Sequence, residues 1–378
     1  MIITDIDTYV VAVSSGINWV FLRIRTDEGI HGWGECTLEG KDLSVLSAVE
    51  ELTRSMRGLE VPSPLQAWHH AFRTAPWKGA ALFSAMSGID LALWDIAGKA
   101  AGLPVSQMLG GPIRDSLHVY TWAGSAESGA ELIDRVDEAH ECYGFTHFKV
   151  APLDGYFTLD PLRLKEAVHR VEQVVERLPP TGRVAVEGHA RLTPVAAITL
   201  ANALESLPLA FLEDFVNTDD EASMRTLRAR TSAPLAAGEK RFNRWHAWPL
   251  LRDGLIDYLL VDLCHAGGIT ETVRIAALAE TLGIGVVPHN PNGPVGMAAT
   301  LHAAAVSPGI LAAESVHTRF ELMAALSGHA PQIKDGYAAI PSGPGLGVEL
   351  DVEALEAHRG TPADFPFPAD AAIAQGRL

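Results

Sequence analysis

Residues 1–115 alternate apolar and polar positions with a period of two in three runs: ITDIDTYVVAV (3–13), WVFLRIRTDEG (19–29) and IHGWGECTL (30–38). A D-E-G turn separates the second from the third, so the pattern predicts a three-stranded antiparallel meander. The period then changes. LSVLSAVEELTRSMRG (43–58) and LFSAMSGIDLALWDIAGKAAG (82–102) carry apolar residues at helical spacing, and Gly102 is placed as a helix stop. A sheet followed by helices predicts an α+β lobe over residues 1–115.

From residue 116 to 325 strands and helices alternate strictly. LHVYTWA, THFKVAP, RVAVEGH, LAFLEDF, PLAAGEK, YLLVDLC, IGVVPHN and ILAAESV read as strands, and stretches such as AAITLANALESL (196–207) and ETVRIAALAETLG (271–283) read as amphipathic helices. Buried parallel strands are near-continuous apolar runs, so the pattern predicts a (β/α)8-type barrel, with an open doubly wound sheet as the rival. Residues 326–378 drop the rhythm and are expected to return to the N-terminal lobe as a capping domain. GPGLG (343–347) precedes no helix and reads as a turn, not a dinucleotide loop.

Composition narrows the partners. With 48% hydrophobic and 20% charged residues the chain is globular, and 29 Lys plus Arg against 46 Asp plus Glu gives a formal charge of −17. That balance argues against nucleic acid or an anionic membrane surface but leaves room for a small anionic substrate in one locally reversed pocket. Cys36, Cys142 and Cys264 show no disulfide or zinc spacing, the start lacks a basic leader, and no long uninterrupted apolar run spans a membrane. A soluble, cytoplasmic, symmetric homo-oligomer is expected.

The chemistry sits at the strand ends. Lys149, Glu187, Glu213, Glu239, Asp262, His289 and Glu314 each close one predicted strand, and from Glu187 onward they recur every 23 to 27 residues, one βα unit apart. In a barrel those ends share the face that carries catalysis. Any one acid could be a helix cap, but three carboxylates embedded in adjacent apolar strand ends repel unless a cation holds them. An oxygen-only set suits a hard ion, so Glu187, Glu213 and Glu239 are expected to bind Mg2+. Asp262 can fix the tautomer of His289 and make it a general base. Lys149 is either a second base or a cation for a substrate carboxylate. Glu314 either contacts substrate or answers Lys149. In VEGHARL, Glu187 and His189 lie two apart, where strand geometry aims both the same way. His69 and His70 are expected at the surface, and His265 is left between a supporting position and a loop.

These residues resemble a known group. TDEGIHGWGE (26–35), SGIDLALWDIAGKAAGLPVSQMLGG (87–111), LEDF, AAGEKRF, VDLCHAGGIT and PHNPNGPVGMAA resemble the mandelate racemase branch of the enolase superfamily, within it the acid-sugar, galactonate-type dehydratases. The resemblance implies a barrel with a capping lobe, Mg2+ on Glu187, Glu213 and Glu239, and the dyad Asp262–His289 as base. It places His189 as the acid for a departing hydroxyl and Glu314 near the substrate carboxylate. The implied reaction removes the C2 proton of a sugar acid and expels the C3 hydroxyl, giving a 2-keto-3-deoxy acid under a flap at SSGINW (14–19). An epimerase, racemase or cycloisomerase of the same superfamily, or a catalytically silent homologue, is the alternative. Glu187 stands where that group usually has Asp, Ala190 where it has Gly, and Ala151 where racemases carry a second lysine.

Overall fold

The computed structural model describes residues 1–14, 16–125, 129–153 and 161–362. Ser15 of the expected flap and the end of the tail lie outside the described residues. Strands β1 (Ile3–Ser14), β2 (Ile17–Thr26) and β3 (His31–Glu35) form the antiparallel meander, with Val11 opposite Trp19 and Phe21 opposite Glu35. Helices α1 (Asp42–Thr53), α2 (Pro64–Thr74) and α3 (Ala80–Ala101) follow, then the short α4 (Val105–Met108). Helix α3 ends on Gly102 in the left-handed region and is apolar enough in composition for a membrane span. Its face from Phe83 to Gly98 is instead buried inside the protein.

The barrel begins with β4 (Ser116–Ser125), α5 (Gly129–Tyr143), β5 (His147–Ala151), α6 (Pro161–Val175), β6 (Arg183–Glu187) and α7 (Pro194–Leu204). It continues with β7 (Leu209–Glu213), α8 (Glu221–Arg228), β8 (Leu235–Ala237), α9 (Arg244–Arg252), β9 (Tyr258–Leu259) and α10 (Gly268–Thr281). It ends with β10 (Gly285–Val286), α11 (Pro294–Val306), β11 (Ala313–Glu314) and α12 (Phe320–Ser327). Parallel pairing runs from β4 through β10, and β11 pairs with β4. A parallel bridge between Val286 and Ile310 joins the last two strands, so the described strands close into an eight-stranded barrel. Closure excludes the open-sheet rival.

The barrel interior explains where the polar residues go. Tyr120, Ala185, Phe211, Ala236, Leu260 and Val287 pack together as one apolar cluster inside the strands. Side chains two apart share a face, so Ala185 predicts an inward Glu187, Phe211 an inward Glu213, Leu260 an inward Asp262 and Val287 an inward His289. Glu239 breaks the count, standing three beyond Ala236. Gly238 makes the adjustment, with φ +149° and an added Cβ falling 2.8 Å from the Leu260 nitrogen.

After α12 the chain makes a hairpin, β12 (Ile333–Lys334) and β13 (Tyr337–Ala339), and β13 pairs antiparallel with β4. The last element is α13 (Val352–Ala357). Beyond it, the Ala12 amide donates to the His358 carbonyl at 2.9 Å and the Gly360 amide to Val10 at 2.8 Å. The segment after residue 325 therefore touches the barrel first and the meander second.

Buried His302 on α11 ties these parts together: its Nδ1 accepts from the Ser106 amide at 3.2 Å and its Nε2 donates to the Leu346 carbonyl at 3.1 Å. Burial lowers its pKa to about 4 from an ordinary 6.5, so the folded protein holds it neutral. Because the folded value is the lower one, this contribution is complete above the ordinary value and is lost as pH falls toward 4. Urea unfolding of the wild type and His302→Gln at pH 7 and pH 5 should show the gap between them narrow by about 2 kcal/mol on acidification. An unchanged gap would contradict a neutral His302.

Candidate active site

The carboxyl ends of the strands bring the seven anticipated groups to one mouth. Glu187 and Glu213 are register partners on β6 and β7. Lys149, Glu187, Glu213, Asp262 and Glu314 are all at most 3% exposed. Lys149 Nζ lies 3.2 Å from Glu213 Oε2 and 3.0 Å from Glu314 Oε1, and 5.6 Å from the Trp122 ring centre. Burial works against its charge, but Glu213 and Glu314 hold its pKa well above the usual lysine range. It is a buried counter-charge.

One ammonium does not answer all the acids. Burial, then Glu239 and Asp214, push Glu187 up to about 8, and burial with Glu187 pushes Glu213 well above the usual range. Asp214, the next residue, is also buried; its Oδ2 pairs with Lys240 Nζ at 2.6 Å while its Oδ1 has no hydrogen-bond partner among the described residues. Lys240 also lies 3.3 Å from Glu239 Oε1. Carboxylates driven toward protonation by burial and by one another form an oxygen-only set that a hard divalent cation would relieve. Glu239 is the exception, because against its burial His289, Lys240 and Lys149 hold its pKa below the usual carboxylate range. The oxygen-only chemistry of Glu187, Glu213 and Glu239 suits such an ion.

Beside it stands the imidazole pair. His289 Nδ1 donates to Asp262 Oδ2 at 2.8 Å, and its Nε2 lies 3.2 Å from Glu239 Oε2. Burial disfavours the imidazolium, yet Glu239 and Asp262 raise His289 to about 10. Asp262 is fixed in turn by the Cys264 amide at 2.7 Å and by Asn292 Nδ2 at 3.2 and 3.1 Å. His265, in the turn before α10, is a supporting residue: its Nδ1 donates to the Glu239 carbonyl at 3.3 Å.

His189 reaches the mouth by a different route from the one strand alternation suggests. Strand β6 ends at Glu187, and His189 and Ala190 take left-handed conformations with φ of 50° and 57°. The His189 amide caps Glu187 Oε1, and the ring packs edge-on against Trp122 at 5.9 Å. Only glycine fits at 188, where a Cβ would lie 2.9 Å from both the Asp214 oxygen and the Phe215 Cα. A tight turn, not a pleat, presents the histidine.

The cap covers this end. Trp19 Nε1 donates to the Pro291 carbonyl at 3.1 Å. Glu35, the last residue of β3, accepts the Gly293 amide at 2.6 Å and the Gly296 amide at 2.7 Å, at the N-terminus of α11. Burial pushes Glu35 up to about 7 against those two amides and Thr37, which favour the carboxylate. Asp214, Lys240, Asn292, Trp122 and Glu35 were not anticipated. Asp214 and Lys240 directly follow anticipated glutamates, the one signal the sequence offered for them.

With this geometry in hand, two family models match. Residues 7–110 match the mandelate racemase / muconate lactonizing enzyme N-terminal domain, and residues 131–355 match the enolase C-terminal domain-like family. The chain belongs to the mandelate racemase / muconate lactonizing enzyme family. It is 37% identical over 99% of its length, and 100% of theirs, to D-galactonate dehydratases of Xanthomonas oryzae pv. oryzae. A D-galactonate dehydratase of Verminephrobacter eiseniae is 36% identical over the same shares. A candidate galactarate dehydratase of Agrobacterium radiobacter, bound to Na and L-malate, superposes with a TM-score of 0.86 at 28% identity, covering 95% of each chain. With dehydratases as full-length relatives, the chain is an enzyme of the lyase class.

The charge arrangement gives a stability test. Lys149→Met leaves Glu213 and Glu314 without their shared cation and should lower unfolding free energy by roughly 3–5 kcal/mol at neutral pH. A urea midpoint indistinguishable from wild type would mean that Lys149 is not the counter-charge.

Proposed function

We propose that this protein is a Mg2+-dependent dehydratase of a sugar acid, which removes the C2 proton and eliminates the C3 hydroxyl to yield a 2-keto-3-deoxy acid. The observation that carries this reading is the Asp262–His289 hydrogen bond at 2.8 Å beside two buried, mutually repelling glutamates, Glu187 and Glu213, with Glu239 next to His289. A proton next to a carboxylate leaves only when the developing enediolate charge is stabilised. Glu187, Glu213 and Glu239 would hold the Mg2+, whose chemistry when bound is to withdraw charge from the substrate carboxylate.

His289 is the base. Release of its Nε2 from Glu239 removes the strongest influence raising its pKa and leaves Asp262 to orient a neutral imidazole. His189 is the acid for the leaving hydroxyl. Burial and Arg191 lower it to about 4 in the free site, and an anionic substrate beside it raises that value, the direction a proton donor needs. Lys149 supplies positive charge near the substrate rather than a second base, because its two carboxylate partners hold its proton. That disfavours a two-base racemase. Glu314, which pairs with Lys149 and accepts the Asn290 amide at 3.2 Å, fixes that ammonium. The relatives' names make D-galactonate the first substrate to try.

Sugar acids incubated with the protein and Mg2+ should give a 2-keto acid for at least one stereoisomer. His289→Asn should then lower kcat by about 10²–10⁴-fold and abolish exchange of the C2 proton in deuterium oxide. His189→Asn should lose elimination but keep exchange. Full turnover by His289→Asn would overturn the assignment of the base.

A further inference from the structure

We propose that Asp262, His265 and His289 form a second, nitrogen-rich metal site that takes a borderline transition ion such as Zn2+ or Co2+, and that occupancy there captures the base. One ligand atom from each of the three residues lies within 4.8 Å of the other two. Asp262 Oδ2 is 2.8 Å from His289 Nδ1 and 3.9 Å from His265 Nε2. Ligands about 2.0–2.1 Å from one zinc ion stand roughly 3.4 Å apart in a tetrahedron, so side-chain shifts below about 1 Å complete the set.

The tautomer of His265 decides that it can serve. Its Nδ1 faces the Glu239 carbonyl at 3.3 Å, and a carbonyl only accepts, so Nδ1 carries the hydrogen. Nε2 is then left with its lone pair on the side facing Asp262. This is the usual support of a metal-bound histidine, one ring nitrogen held by a carbonyl and the other free to ligate. Asp262 is supported likewise by Cys264 and Asn292. The ion would take the place of the hydrogen between His289 Nδ1 and Asp262 Oδ2, and that hydrogen moves to Nε2, leaving a neutral metal-bound imidazole whose base nitrogen is occupied.

The mouth thus presents two donor sets side by side. Glu187, Glu213 and Glu239 offer oxygen alone, whereas Asp262, His265 and His289 offer two imidazole nitrogens and one oxygen. Donor softness separates them, because Mg2+ holds to oxygen while Zn2+, Co2+ and Ni2+ favour imidazole. Binding at the second set does not depend on the proposed reaction. Only its consequence, inhibition, rests on His289 being the base.

The probe is Co2+ added to the full-length protein in excess Mg2+ without substrate, followed by visible absorption. Wild type should show the intense bands of low-coordinate cobalt, abolished by stoichiometric Zn2+. His265→Asn should weaken Co2+ binding on the order of a hundredfold, while Glu187→Gln, which damages the oxygen set, should keep the bands. Circular dichroism establishes that each variant folds, and His265→Gln replaces His265→Asn if the latter does not. Bands unchanged without His265, or lost in Glu187→Gln, overturn the proposal. If no sugar acid turns over but the cobalt bands follow His265, the site stands and the dehydratase reading falls. If turnover is found and Zn2+ leaves it unaffected in excess Mg2+, capture of the base is refuted.

Discussion

Glu187, Glu213, Asp214, Glu239, Asp262 and Glu314 crowd one end of a closed barrel, and Lys149, Lys240 and His289 are the cations within reach of them. In bulk water such a cluster would be unremarkable, but these side chains are mostly shut away from solvent, where repulsion is weakly screened. The pairings follow from that constraint. Lys149 bridges two carboxylates, Lys240 bridges two more, and His289 lies between Asp262 and Glu239. What is left over is acid on Glu187 and Glu213, shown by their upward shifts.

A site built on unrelieved charge needs rigid walls, and the fold supplies them from far away in sequence. The apolar layer of Tyr120, Ala185, Phe211, Ala236, Leu260 and Val287 fixes the floor. Most of the polar groups stand one pleat above it, so their positions are inherited from core packing. Above, Glu35 binds two amides of the helix that follows His289 and sets the cap against the barrel. The same carboxylate therefore joins β3 to the loop that carries His289.

How much of this the sequence shows depends on whether a residue obeys a local period. Glu187, Glu213, Asp262, His289 and Glu314 end apolar runs on the regular spacing that starts at Glu187, and a period of two carries them to the mouth; Lys149 ends an apolar run 38 residues before Glu187. The closed eight-strand barrel is legible for the same reason. Glu239 keeps the chain-length spacing but not the pleat, and the left-handed Gly238 that corrects it gives no sign in a pattern of apolar residues. His189 lies two beyond Glu187 and looks like its strand-mate, yet the turn at 188–190 places it. Glu35, Asn292 and the pairing of the tail with β4 depend on contacts between distant segments, which no local period encodes.

The proposed direction of the chemistry rests on the asymmetry of the two sides. Inversion at a carbon next to a carboxylate needs a proton acceptor on one face and a proton donor on the other, exchanging roles. On the His289 side an oriented imidazole is present. On the β5 side the group is Lys149, gripped by Glu213 and Glu314, with Ala151 where a second lysine would stand. An ammonium held this way keeps its proton and acts by charge alone. His189 lies instead next to Glu187, whose Oε1 accepts its amide, and is the proposed donor to the leaving group. If His289 is the base, as proposed, then one oriented imidazole, one fixed cation and one further imidazole suit breaking a C–O bond after the proton has gone better than putting that proton back on the other face.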